Sequence, residues 1–105
     1  MEIYTDKNWK LFKKNLPSWQ EAYMEKLVKD YKALLDSDKL ASNKYWSLEN
    51  RIRQDKKKTG VLARDVCRSN IPIPLLNLLR EKAITFDDLN DFSEDLKDWL
   101  KEYLK

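Results

Sequence analysis

A long apolar stripe defines residues 18–35, which read SWQEAYMEKLVKDYKALL. Its large apolar side chains recur every three or four positions, at Trp19, Tyr23, Leu27, Tyr31, Leu34 and Leu35. This spacing is typical of an amphipathic α-helix with one buried face. Ser18 and Glu21 fit a capping box at the start of the stripe, so the sequence predicts a helix over residues 19–36.

A separate helix is predicted upstream of this stripe, over residues 6–15. Trp9 and Phe12 lie three positions apart there, and therefore on one helix face. Pro17 is expected to separate the two helices, because a proline pushes the residue before it out of the α-helical region.

Further helical segments are predicted downstream at residues 39–58, 61–67, 72–82 and 86–105. Gly60 is expected to end the first of these in the left-handed conformation that closes many helices. The segment at residues 72–82 is apolar on most sides and should lie at the centre of the fold. In the last segment, Ser93 and Glu94 can restart the helix after a kink.

Together these segments predict an all-α fold, a compact bundle of about five to six helices that forms a single domain over residues 1–105. A chain of 105 residues suits one domain. The sequence has one Gly and three Pro, and it lacks the Asn-Gly and Asp-Gly pairs that make tight hairpins. A β-sheet fold is therefore disfavoured.

The chain lacks the residues on which most enzyme sites are built. It has no histidine, and its single cysteine, Cys67, excludes a thiolate–imidazole pair and an ordinary zinc site. No Gly-rich loop is present to hold a phosphate group. We therefore predict no catalytic, cofactor or metal site, and we expect Cys67 to be a buried, inert thiol in the helix over residues 61–67.

The sequence also carries signals about location. One cysteine cannot form an internal disulfide, which favours a reducing compartment. The N-terminal residues lack the pattern of a signal peptide, and no apolar run approaches the roughly 18 residues of a membrane span. We expect a cytoplasmic protein that does not contact the membrane.

Two oppositely charged stretches interrupt an otherwise balanced chain. Residues 51–68 carry seven basic and two acidic side chains, a net charge of +5. Residues 86–105 carry seven acidic side chains and three lysines, a net charge of −4. Such asymmetry can steer a small protein toward a charged partner, although solvated helix faces explain both stretches equally well.

Three sets of side chains are candidate binding residues. The acidic face comprises Asp87, Asp88, Asp91, Asp95 and Asp98. The basic ridge, which would suit phosphates of RNA or DNA, comprises Arg51, Arg53, Lys56, Lys57 and Lys58. No aromatic residue is interleaved within this ridge, which weakens the case for single strands.

The third set is an aromatic pair, Tyr45 and Trp46. Adjacent residues on a helix cannot both point fully inward, and Tyr and Trp are enriched at binding hot spots. A homodimer interface explains the surplus of aromatic residues equally well.

Several segments of the C-terminal part have a familiar pattern. They are YWSLENRIRQDKKKTGV at residues 45–61, RSN at 68–70, IT at 84–85, DL at 88–89 and FSEDL at 92–96. These segments, spread over about the last 60 residues, resemble a group of small helical proteins carried on mobile elements of Gram-positive bacteria. In size, helicity and lack of enzymatic residues, the chain is similar to anti-CRISPR proteins of type II systems.

That resemblance implies a non-enzymatic inhibitor that binds a type II RNA-guided CRISPR nuclease of the bacterial host. Such an inhibitor would block guide-RNA loading, DNA binding or cleavage. The resemblance assigns no role to individual residues. The residues themselves leave two alternatives, a nucleic-acid-binding accessory or regulatory protein of a mobile element and a self-assembling helical interaction protein.

Overall fold

The computed structural model describes residues 3–64 and 66–104. They form four α-helices, α1 (Asp6–Leu35), α2 (Ala41–Asp55), α3 (Pro72–Arg80) and α4 (Glu94–Leu104), and short 3₁₀ turns at Arg68–Asn70 and Phe86–Leu89. The described part of the chain contains no strand, which confirms the all-α prediction, but it has four α-helices rather than five to six. Within residues 3–64 and 66–104, no helix combines the length and apolar character that a membrane crossing requires.

α1 is one continuous helix, so the prediction of two helices separated by Pro17 is wrong. Pro17 lies inside α1 with its ring exposed to solvent. A proline inside a helix removes one backbone hydrogen bond and costs about 3 kcal/mol. Phe12 and Trp19, on either side of it, pack in the same core with ring centroids 6.4 Å apart. Burial of large side chains contributes about 1.5–3 kcal/mol each, which offsets that cost.

The main core lies where the first half of α1 meets α3 and α4. α3 is buried on most sides, as predicted, and its buried residues are Pro72, Pro74, Leu75, Leu76, Leu78 and Leu79. Phe12 of α1 and Leu96 and Leu100 of α4 are completely buried in the same cluster. Three separate chain segments therefore share one apolar interior.

A buried amide joins the start of α1 to the start of α4. Asn8 has no exposed surface, and its Nδ2 donates to the Ile3 carbonyl and to Ser93 Oγ at 2.9 Å each. Its Oδ1 accepts a hydrogen bond from the Ser93 backbone N–H at 3.1 Å. The restart predicted at Ser93 is thus a complete break, and α4 begins at Glu94.

α2 folds back along the second half of α1 to form a helical hairpin. Leu27 of α1 is buried, and it lines an apolar groove together with Tyr31 of α1 and Ile52 of α2. The molecule measures 54 × 23 × 22 Å. A 30-residue helix such as α1 is about 45 Å long, which accounts for this elongated shape.

The loop after α2 is held in place from two sides. Glu81, which follows α3, accepts hydrogen bonds from the backbone N–H groups of Thr59 and Gly60 at 2.9 Å each. Gln20 of α1 donates to the Thr59 carbonyl at 3.0 Å. Gly60 is not in a left-handed conformation, so that prediction is wrong. Glycine fits there because a Cβ atom would lie 2.5 Å from the Tyr23 ring.

The helix predicted over residues 61–67 is absent from the described part of that segment, which is turn and irregular chain. Leu62 and Cys67 are exposed, so the predictions that they point inward are wrong, whereas Val66 packs partly buried against the core. The Cys67 backbone N–H donates to Asn70 Oδ1 at 3.0 Å, which caps a surface 3₁₀ turn in place of helical pairing. Asp65 lies outside the described residues.

Replacing Pro17 with alanine should stabilise the protein. The variant removes the cost of a proline in a helix interior, which is about 3 kcal/mol. Against this, the unfolded chain becomes more flexible without the proline, which lowers the gain by about 0.4–1 kcal/mol. We expect the free energy of unfolding, measured by urea denaturation, to rise by about 2–2.6 kcal/mol. Ser18→Ala is the neighbouring control and should change it by about 0.5 kcal/mol or less. A destabilised Pro17→Ala variant would place Pro17 at a helix boundary instead.

Candidate binding surface

The structure divides the basic ridge into two groups. The Arg51 guanidinium lies 3.7 Å from an Asp30 carboxylate oxygen and 5.3 Å from the centroid of the Tyr31 ring. Lys58 Nζ lies 3.7 Å from Asp55 Oδ1. Arg51 therefore holds α2 against α1, and Lys58 pairs with the end of its own helix.

The other three ridge residues line one open cleft of about 500 Å³. We call it the basic cleft, after the four cations that line it: Arg53, Lys56, Lys57 and Arg64. The remaining lining residues are Thr59, Leu62 and Asn77. Arg53 forms an ion pair with Glu49, whereas no ion pair involves the other three cations within the described residues.

Arg64 belongs to this cleft although it is not a predicted site residue. The helix predicted over residues 61–67 would have put it on a separate element, but the loop fixed by Glu81 brings it next to α2. The available signal was the run of basic residues, which continues past Gly60. Asn77 reaches the cleft from α3, and sequence spacing gives no indication of that contact.

Tyr45 and Trp46 are both exposed on α2. Each is 65% exposed, and their ring centroids lie 5.0 Å apart in an edge-to-face arrangement. An adjacent groove of about 320 Å³ is lined by Tyr45, Leu48, Glu49, Ile52, Arg53 and Lys56. Two of these residues, Arg53 and Lys56, also line the basic cleft. The aromatic pair and the basic cleft therefore form one surface, which we call the α2 surface.

The register of α2 explains this continuity. Residues 45, 49, 53 and 56 are separated by four, four and three positions, which is the spacing of neighbours along one helix face. At 1.5 Å per residue, Tyr45 and Lys56 are about 16 Å apart along the axis. A single helix face thus carries the Tyr45 ring at one end and cations at the other.

A buried carboxylate, Asp55, lies at the end of α2 beside these cations. It is 7% exposed and accepts a hydrogen bond from the Tyr31 hydroxyl. Partial burial of the phenol, together with this hydrogen bond, raises the pKa of Tyr31 to about 12. The Tyr31–Asp55 pair ties the end of α2 to α1 and thereby positions Lys56 and Lys57, which follow directly.

The acidic face does not lie on one helix, so that prediction is wrong. All five carboxylates are exposed, but they are distributed over three segments: Asp87 and Asp88 in the 3₁₀ turn, Asp91 after it, and Asp95 and Asp98 on α4. Asp88 Oδ2 accepts the Thr85 backbone N–H at 2.8 Å, which caps the 3₁₀ turn. The prediction placed all five carboxylates on one helical segment over residues 86–105. The break before Glu94 divides that segment, so the carboxylates do not share one helix.

On α4, an exposed carboxylate is already paired with a neighbouring cation. Lys97 Nζ lies 2.8 Å from Glu94 Oε1, and its hydrogen bond to Glu94 holds the pKa of that carboxyl below its ordinary value.

Over residues 3–64 and 66–104, no group of three or more His, Cys, Asp or Glu side chains is arranged to hold a metal ion.

Replacing Tyr31 with phenylalanine removes the hydrogen bond to Asp55 and should lower the free energy of unfolding at neutral pH by about 1 kcal/mol. The pKa of Tyr31 is raised from 10.0 to about 12 on folding, so this contribution is complete below pH 10 and is lost as the pH rises through 12. The difference between wild type and Tyr31→Phe, measured by urea denaturation, should therefore shrink above pH 10. A difference that is already lost by pH 9 would contradict the raised pKa.

The sequence matches no family model and no curated protein, and the fold matches no solved structure. The resemblance to proteins of mobile elements therefore stays a prediction.

Proposed function

We propose that this protein is a non-catalytic nucleic-acid-binding protein, with an accessory or regulatory role, that holds phosphate groups in the basic cleft. The observation that carries the proposal is the convergence of four cations on one cleft, three of them without an ion pair among the described residues. Such cations attract counterions in solution. When a polyanion binds them, the counterions of both partners are released, and this release makes binding more favourable.

The charge of the cleft supports this proposal. The four cations and the Glu49 carboxylate that pairs with Arg53 sum to +3, which equals the net charge of the whole chain. The remainder of the protein is therefore balanced overall and contains the acidic face as its negative region. A field arranged in this way attracts a polyanion to α2 in preference to the rest of the surface.

The polar lining of the cleft suits binding of a phosphate backbone. Thr59 and Asn77 carry hydroxyl and amide groups, which commonly hydrogen-bond to phosphate or sugar oxygens in nucleic-acid complexes. Such contacts position a strand without reading its sequence. We therefore expect binding that depends strongly on salt and weakly on base sequence.

The double variant Lys56→Gln/Lys57→Gln tests this function. Binding to a labelled oligonucleotide, measured by fluorescence anisotropy at 50 and 200 mM salt, should weaken by roughly tenfold per lysine at the lower salt concentration. The slope of log affinity against log salt should fall in magnitude by about 0.7 per lysine removed.

Lys10→Gln/Lys14→Gln is the matched control, because both lysines are exposed on the first half of α1 and neither lines the cleft. This variant removes the same charge and should bind nearly as the wild type does. Equal losses in the two double variants would show diffuse attraction without a site. Absence of binding at 50 mM salt would refute the proposed function.

A second candidate function is the inhibitor of a type II RNA-guided nuclease that the sequence resemblance implies. It is favoured by Asp87, Asp91 and Asp98, which are exposed and form no ion pair within the part of the chain that the structure describes. Exposed carboxylates can occupy a basic groove that a nuclease uses for its guide RNA or target DNA. In that case the acidic face, and not the α2 surface, would contact the partner.

Reversal of these three carboxylates to lysine separates the two candidates. Under the inhibitor hypothesis, Asp87→Lys/Asp91→Lys/Asp98→Lys should abolish inhibition of plasmid cleavage by a type II nuclease, because like charges then face each other. Lys56→Gln/Lys57→Gln should inhibit as the wild type does. If the wild type itself leaves cleavage unchanged at high excess, this second candidate is wrong and the nucleic-acid proposal is unaffected.

A further inference from the structure

We infer that the α2 surface binds single-stranded nucleic acid, with bases stacked on Tyr45 and Trp46 and phosphates held in the basic cleft. The inference rests on the proposed nucleic-acid-binding function and adds the class of ligand. It is carried by a juxtaposition on α2: the groove lined by Tyr45 and the basic cleft share Arg53 and Lys56.

The two aromatic rings are available for stacking. Each side chain is 65% exposed, in contrast to Phe12 and Phe92, which are buried in the core. Since the rings meet edge to face, their contact covers at most one face of either ring. Each ring therefore keeps at least one face that a planar base can cover.

Stacking requires an unpaired base. In a duplex the base faces are covered by their neighbours, and the outside presents sugars and phosphates, so Tyr45 and Trp46 would gain little contact there. Aromatic platforms beside a positively charged groove are the combination that binds single strands without sequence preference. DNA and RNA share the base faces and the phosphates that this surface uses, and they differ in the 2′-hydroxyl.

The dimensions of the α2 surface suit a short strand. The distance of about 16 Å from Tyr45 to Lys56 corresponds to about five nucleotides of a stacked strand at 3.4 Å each. Glu49 lies between the rings and the lysines, but it is already paired with Arg53 and so presents no unpaired carboxylate to the strand. The cleft continues to Lys57 and Arg64, which extends the positive track beyond α2.

The test compares Tyr45→Ala/Trp46→Ala with Tyr45→Phe/Trp46→Phe. The probes are labelled dodecamers of thymidylate and uridylate and a labelled 12-base-pair DNA duplex. The wild type should bind the single strands more tightly than the duplex. The alanine variant should lose roughly 5- to 150-fold in single-strand affinity per stacked base. Its salt slope should not change, because no charge is removed.

The phenylalanine variant separates stacking from a structural effect. It retains both rings and should keep most of the single-strand affinity. The single change Trp46→Phe should also abolish the part of the tryptophan fluorescence quenching that a base on Trp46 causes, while binding persists. Both side chains are exposed, so we expect circular dichroism and thermal unfolding of every variant to match the wild type.

The outcomes separate this inference from the proposed function. Equal affinity for duplex and single strand, with an unchanged alanine variant, would overturn the inference and leave nucleic-acid binding by the basic cleft intact. Failure to bind any of the three probes would overturn both. Tighter binding of the uridylate probe would identify RNA as the ligand, and tighter binding of the thymidylate probe would identify DNA. Either result supports the inference.

Discussion

The arrangement of the whole molecule depends on the continuity of α1 through Pro17. Packing of Phe12 and Trp19 on both sides of the proline holds the two halves of the helix as one rod. The first half forms a wall of the core with α3 and α4, and the second half extends beyond the core and supports α2. The lining of the basic cleft comes from both parts, with Arg53 from α2 and Asn77 from α3.

The basic cleft exists where these two parts meet. Thr59 and Gly60 follow α2, and Glu81 anchors them to the end of α3 through two backbone hydrogen bonds of 2.9 Å. Both oxygens of this carboxylate therefore have backbone donors as partners. The close approach of Gly60 to the Tyr23 ring leaves no room for a larger residue. Cations from α2 and from the following loop converge as a consequence of this anchoring.

Local patterns predicted what depends on local forces. Apolar spacing located α2 and α3 because the periodicity of a helix is a property of neighbouring residues. The local proline rule failed at Pro17, where the burial of Phe12 and Trp19 outweighs it. Apolar spacing failed at residues 61–67, where Glu81 holds the preceding loop from 21 positions away. Adjacency on a helix predicted that Tyr45 and Trp46 cannot both be fully buried, whereas no local pattern placed Arg64 beside Asn77 in the cleft.

The sequence also could not show which cations of the basic ridge are free, because an ion pair depends on the partner that folding provides. Arg51 and Lys58 are paired with Asp30 and Asp55, while Lys56 and Lys57 form no ion pair within the described residues. Asp55 and the two lysines after it are consecutive, so one turn of chain both attaches α2 to α1 and presents the cations. The positions of Lys56 and Lys57 are therefore set by the same buried contact that stabilises the hairpin, so this cationic surface is preorganised.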